Sequence, residues 1–260
     1  MRQYRRLVVV LAETFDQVLA IDGLYYLLLG VAVAGLVRGF SGFGTALIYM
    51  PFASSVLPPV WAIVTMLIFD IPGTTPILRG AIKDCHPADL RRLTIGALVA
   101  LPLGLYLLVK VNPDVFRWSV AIIALVLLLF LITGWRYRGV LNRAMTYTVG
   151  AMGGFLAGVS GLPGPPVIML YMSSPHAITA IRANILIYLF LVDILTFLYM
   201  AMAGYIAATP VVIGVALIIP YAVFNIIGAK LFRPDKEKLF RIIAYCLIGF
   251  SAVSNLPILR

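Results

Sequence analysis

From Gly39 to Phe69 the chain carries no Asp, Glu, Lys or Arg, and the same holds from Ala144 to Ile181 and from Ile194 to Ala229. Stretches this long and apolar can cross the hydrocarbon core of a bilayer, which takes about 20 helical residues. Leu93–Val109, Trp118–Trp135 and Ile242–Leu259 are shorter stretches of the same kind. None alternates with period two, so helices are expected and not the strands of a β-barrel. Composition agrees: 62% of the residues are hydrophobic and 12% charged, against about 45–50% and about 25% in soluble domains. Too little polar surface is left for a soluble enzyme, a disordered chain or a disulfide scaffold. The sequence specifies an all-α polytopic membrane protein.

Eight apolar segments are expected, at Gly23–Pro51, Val60–Leu78, Leu93–Val109, Phe116–Arg136, Tyr147–Met172, Ile178–Met202, Val211–Leu231 and Phe240–Leu256. The formal charge of +10 lies mostly between these segments, as in positive-inside loops, so nucleic acid is not an expected partner. The two cysteines, Cys85 and Cys246, form no metal-ligand pattern with the two histidines, and no metal or cofactor is expected. Residues 1–22 place Arg2, Arg5 and Arg6 before a short apolar run and read as an interfacial segment. Residues 23–260 read as a single membrane domain.

That domain repeats itself. Gly39-Phe-Ser41-Gly42-Phe-Gly44 recurs as Gly158-Val-Ser160-Gly161-Leu-Pro-Gly164. Asp70 and Asp193 each lie in the next apolar segment, Gly96 and Pro102 match Gly214 and Pro220, and Phe116-Arg117 matches Phe240-Arg241. Several features in one order define two homologous halves, repeat 1 at 23–138 and repeat 2 at 143–260. The loop Arg79–Arg92 carries four positive residues and its counterpart Ala203–Pro210 none, whereas Lys110–Arg117 carries two and Lys230–Arg241 five. Homologous loops with opposite charge bias indicate inverted halves. Inversion needs an odd number of crossings per half, so the Gly-rich first segment of each is expected to be broken or re-entrant.

Those first segments carry the chemistry. Three glycines in six residues, or Gly161, Pro163, Gly164, Pro165 and Pro166 together, interrupt a membrane helix. Broken backbone at membrane depth is tolerated where it is buried in protein or lines a wet cavity. A half-helix start points free N–H groups and a positive dipole end at the break, which suits an anion. The N–H groups at Gly42, Gly44, Gly161 and Gly164 are candidate donors, with the hydroxyls of Ser41, Thr45 and Ser160. Close helix packing is the alternative use of such glycines.

Arg38, directly before the first motif, is a candidate anchor for a planar or tetrahedral oxyanion. Arg182 and Asn184 open the segment that holds Asp193 and are candidate pathway residues, as is Asn225 in the seventh segment. Asp70 and Asp193 are the acids inside apolar segments, and an ionised carboxylate there needs a cation or a proton. They are candidates for coupling or gating, with a structural ion pair to Arg38 or Arg182 as the alternative.

The duplicated Gly-x-Ser-Gly signature, the following prolines (Pro51; Pro165-Pro166) and the eight apolar segments resemble the TauE/SafE family, named for sulfite exporters. The resemblance covers nearly the whole chain. It implies a transporter of sulfite, sulfonates or related small organic anions; with the two halves and the buried acids, the expectation is a non-enzymatic carrier working by alternating access, with protons as candidate coupling ions. It also implies a multi-pass protein of the cell membrane, in a prokaryote the inner membrane, with the lipid bilayer as its surroundings and oligomerisation left open. An anion channel is the alternative. A more distant one is an intramembrane serine protease, since Gly-x-Ser-Gly is also the rhomboid nucleophile signature, but neither histidine lies at a segment centre to serve as its base.

Overall fold

The computed structural model describes residues 16, 18, 20–41, 44–133, 142–171, 177–231 and 237–254. Among them every regular element is an α-helix: α1 (Leu24–Ser41), α2 (Thr45–Val56), α3 (Pro59–Asp84), α4 (Pro87–Leu108), α5 (Pro113–Thr133), α6 (Arg143–Ser160), α7 (Gly164–Tyr171), α8 (Ile178–Met202), α9 (Ala208–Leu231) and α10 (Glu237–Ser254). Five helices, Pro59–Asp84, Pro87–Leu108, Pro113–Thr133, Thr179–Met202 and Ala208–Leu231, are long and apolar enough to cross a membrane. Leu24–Gly39, Thr45–Val56 and Ile242–Ser254 are shorter apolar helices. The protein is a polytopic membrane protein. The interfacial reading of residues 1–22 falls almost wholly outside the described residues.

The first and fifth expected segments are each broken in two. A Cβ on Gly23 would meet Val56 at 3.3 Å, and one on Gly30 would meet Phe52 at 2.7 Å. Arg38 bonds Thr45 at the tip. Partner numbers fall as the chain rises, so α2 doubles back along α1 as a helical hairpin. The turn uses Gly44 at φ +100°, a conformation that costs an L side chain about 1–2 kcal/mol. In the fifth segment Gly161 closes α6 at φ +73°. The Pro163 carbonyl then lies 2.9 Å from where a Cβ on Gly153 would sit, two turns back along α6.

One expected loop is helical. The apolar pattern stops at Leu78, yet α3 continues to Asp84 and α4 starts at Pro87, leaving Cys85 and His86 as the link. Arg79 and Lys83 are good helix formers. A 26-residue helix is about 39 Å long, more than the about 30 Å of hydrocarbon, so its charged last turns continue beyond it. The end of an apolar stretch marks the membrane boundary and not the helix end.

The tightest helix seams are made by glycine. Helix α4 packs on α6, and α1 on α9. A Cβ on Gly150 would fall 2.1 Å from the Leu93 carbonyl oxygen, and one on Gly96 2.2 Å from that of Tyr147. A Cβ on Gly39 would fall 2.2 Å from the Asn225 oxygen, and one on Gly228 2.1 Å from that of Leu36. Backbones touch in both seams, as small residues allow in membranes. Gly39 and Gly158, which open the two repeated motifs, therefore serve close packing.

Two further pairs run antiparallel. In α5 and α10, Leu131 meets Tyr245 while Leu128 meets Gly249. In α3 and α8, Asp70 meets Asp193 at mid-length while His86, just past α3, meets Asn184 near the start of α8. Around this crossing the buried aromatic rings of Tyr49, Phe69 and Tyr221 pack at centroid distances of 4.8 and 4.9 Å.

Candidate functional site

Arg38 lies in the last turn of α1, where the chain must turn, and is 6% exposed. Its Nη1 donates to both Asp70 oxygens at 3.2 Å and to Thr45 Oγ1 at 3.0 Å. Its Nη2 donates to Thr74 Oγ1. Asp70 and Thr74 stand one helical turn apart on α3, so a single face of α3 supplies both partners. Asp70 also accepts from Tyr221 Oη on α9 at 2.6 Å. Among the described residues Arg38 Nε has no partner. A buried guanidinium donor left unpaired costs about 1–3 kcal/mol or more.

A cavity of about 40 Å³ opens beside this guanidinium. The start of α2 lines it with Gly44, Thr45, Ala46 and Leu47. The turn into α7 lines it opposite with Leu162, Pro163, Gly164 and Pro165. Helices α3 and α8 close it with Met66, Asp70, Leu189 and Asp193. The two broken hairpins and the two intramembrane acids therefore meet at one place.

The two half-helix starts differ in what they offer. The N-cap of α2 is Gly44, which has no side chain to cap the first N–H groups. Helix α7 begins Gly164-Pro165-Pro166, and proline has no N–H, so two of its first-turn donors are missing. The far end of α2 is held by Arg117 of α5, which donates through Nε to Ser54 O at 2.8 Å and through Nη2 to Ser55 O at 3.2 Å.

Of the residues expected from the sequence, Arg38, Gly44, Thr45, Gly164, Asp70 and Asp193 line the cavity. The Ser41 side chain and Gly42 lie outside the described residues. Five other expected residues do not line the cavity. Ser160 is buried, but its hydroxyl donates to Leu156 O at 2.8 Å in its own helix. Arg182 is exposed at the start of α8. Asn184 accepts from His86 N at 2.8 Å and donates to His86 O, so it ties α8 to the α3–α4 link. Asn225 contributes its backbone to the α1–α9 seam. Gly161 faces Met50 and Ile63, with the cavity wall starting at the next residue.

Sequence reasoning missed Thr74 and Tyr221. Thr74 carries a usable signal, standing four residues after an intramembrane acid. Tyr221 carries less, a lone hydroxyl in a span of Val, Ile and Leu directly after Pro220.

Helices long and apolar enough to cross a bilayer, two broken hairpins and a buried charged cavity between them describe a multi-pass membrane protein. The chain matches the sulfite exporter TauE/SafE family over residues 27–255 and belongs to it. No curated protein and no solved structure matches it.

Proposed function

We propose that the protein is a secondary carrier that holds a small sulfur oxyanion, sulfite or a sulfonate, in the cavity beside Arg38. The observation that carries this reading is Arg38 Nε, a buried donor without a partner among the described residues, at a cavity lined by a helix start whose N-cap is glycine. The guanidinium edge bearing Nε can receive two oxygens of an oxyanion while Asp70 stays on Nη1. Helix α2 supplies the N–H groups and dipole end, and α7 contributes mainly shape.

Charge counting supports proton coupling. One cation faces two carboxyls, Asp70 and Asp193, within reach of each other. Bringing an anion next to two carboxylates in a low-dielectric site is unfavourable. A proton arriving with the anion offsets that repulsion, and Asp193, away from the direct bonds to Arg38, is its expected carrier.

The halves are proposed to be inverted. Equivalent helices in inverted repeats run antiparallel, and both α3–α8 and α5–α10 do so. Each hairpin packs on the second long helix of the other half, α1 on α9 and α6 on α4. Alternating access then rocks the halves about the cavity.

The test is ligand-induced thermal stabilisation of the purified protein with sulfite, sulfate, thiosulfate, sulfoacetate, taurine, acetate and chloride. The expected result is a selective shift with one sulfur oxyanion that Arg38→Lys weakens at least about tenfold, since a point charge replaces the fork. An equal shift in Arg38→Lys, or a shift only with acetate or chloride, refutes the assignment.

A further inference from the structure

The hydrogen bonds at Arg38 close into a ring, and proton counting fixes its direction. Arg38 has donors only, so Thr45 Oγ1 accepts from it at 3.0 Å. The single Thr45 proton is then free for Tyr221 Oη at 2.9 Å. The Tyr221 proton goes to Asp70 Oδ1 at 2.6 Å, and Arg38 returns to the same carboxylate at 3.2 Å. Three ring members come from α1, α2 and α3. Tyr221 comes from α9, far along the chain.

Packing holds the tyrosine in place. A Cβ on Gly73 would come within 2.4 Å of its ring, and the Phe69 ring lies at 4.9 Å. The hydroxyl therefore cannot swing to another partner without moving α9 relative to α3.

We propose that Tyr221 is a positioning residue that makes movement of α9 conditional on the load at Arg38. Resting on the reading of Arg38 as the anion anchor, the argument is electrostatic. Tyr221 donates to a charged carboxylate, and such bonds are roughly twice as strong as neutral ones. The proton that arrives with the oxyanion on Asp193 is shared with Asp70, which lies within reach of it, and on Asp70 it removes the charge that strengthens the bond from Tyr221. That weakens the Tyr221 bond and frees α9 to move against α1–α3. The empty carrier stays latched, so it does not cycle without cargo.

Tyr221→Phe keeps the ring and its packing and removes only the hydroxyl. Proteoliposomes loaded with radiolabelled sulfite separate exchange into sulfite-containing buffer from net efflux into sulfite-free buffer. Wild type is expected to exchange several-fold faster than it leaks, and Tyr221→Phe to bring the ratio towards one with the sulfite-induced thermal shift retained. An unchanged ratio in Tyr221→Phe overturns the proposal. A second measurement needs no substrate. Amide hydrogen exchange of α9 in the unliganded protein is expected to rise at least about tenfold in Tyr221→Phe, as a lost charge-assisted bond predicts. A rise in α9 exchange without any sulfite binding by wild type sustains the latch and removes the sulfite reading. Unchanged α9 exchange overturns the latch whatever the substrate.

Discussion

Replacing Gly150 by Ala tests whether α4 and α6 touch backbone to backbone. The new Cβ would lie 2.1 Å from the Leu93 carbonyl oxygen and 2.7 Å from its carbon. These are backbone atoms and cannot rotate away, so the helices must part by about 1 Å to reach an ordinary C···O contact. Such overpacking costs about 1–3 kcal/mol, and parting a seam that also contains Gly96, Gly154 and Gly158 puts the cost at the upper end. Helix propensity opposes it, since Ala is better than Gly by about 1 kcal/mol. The net expectation is a loss of about 1–2 kcal/mol. Gly80→Ala in α3 is the control, because nothing lies within 4 Å of its Cβ position. It keeps the propensity gain without the clash. Thermal unfolding of both variants in one detergent converts these values to midpoint changes at about 2–4 °C per kcal/mol. Gly150→Ala is expected to fall and Gly80→Ala to hold or rise. A rise in Gly150→Ala equal to that of Gly80→Ala refutes the contact.

Asn184→Ala removes the bonds that Asn184 makes to the N–H and C=O of His86, the carbonyl keeping its bond from Leu90 N, and is expected to cost about 1–3 kcal/mol in unfolding while leaving the sulfite-induced shift unchanged; loss of that shift would return Asn184 to the pathway. Gly44→Ala and Gly161→Ala each force alanine into left-handed backbone at about 1–2 kcal/mol, and both are expected to lower the midpoint. Gly161→Ala should lower it more, because its Cβ would also press on Met50 at 3.0 Å, whereas one on Gly44 would meet Val37 at an ordinary 3.9 Å. Arg117→Gln removes two bonds to the end of α2, and the expected readout is faster amide exchange in residues 45–56 than in wild type.

The broken hairpins were legible because glycine and proline at those spacings leave a membrane helix few alternatives. Arg38, Asp70 and Asp193 were legible because a charge in an apolar span must find a partner, and the three find one another. Ser160 and Asn184 lie off the cavity wall for one reason: a buried polar side chain can be satisfied by backbone as well as by cargo. Ser160 uses its own helix and Asn184 a link it cannot be seen to touch from the sequence. Glycine carried the same ambiguity. Gly39 and Gly44 stand in one motif, yet Gly39 meets a neighbouring helix and Gly44 makes a turn. Tyr221 was not legible because its role depends on a ring closed across the fold, and pattern within one helix does not reveal that partnership.

The seating of α1 against α9 bears on how the protein is made. Thr45 and Tyr221, bonded in the finished fold, are 176 residues apart. At about 5–20 residues per second, the first hairpin waits roughly 10–35 s after it leaves the ribosome before α9 exists. During that interval Arg38 and Asp70 already have each other, but the glycine face of α1 has only lipid or insertion machinery to cover it. A chain that stops before α9 should therefore insert, keep its first ion pair, and remain open along one side. Quality control that detects unpaired small-residue faces would have that interval in which to act.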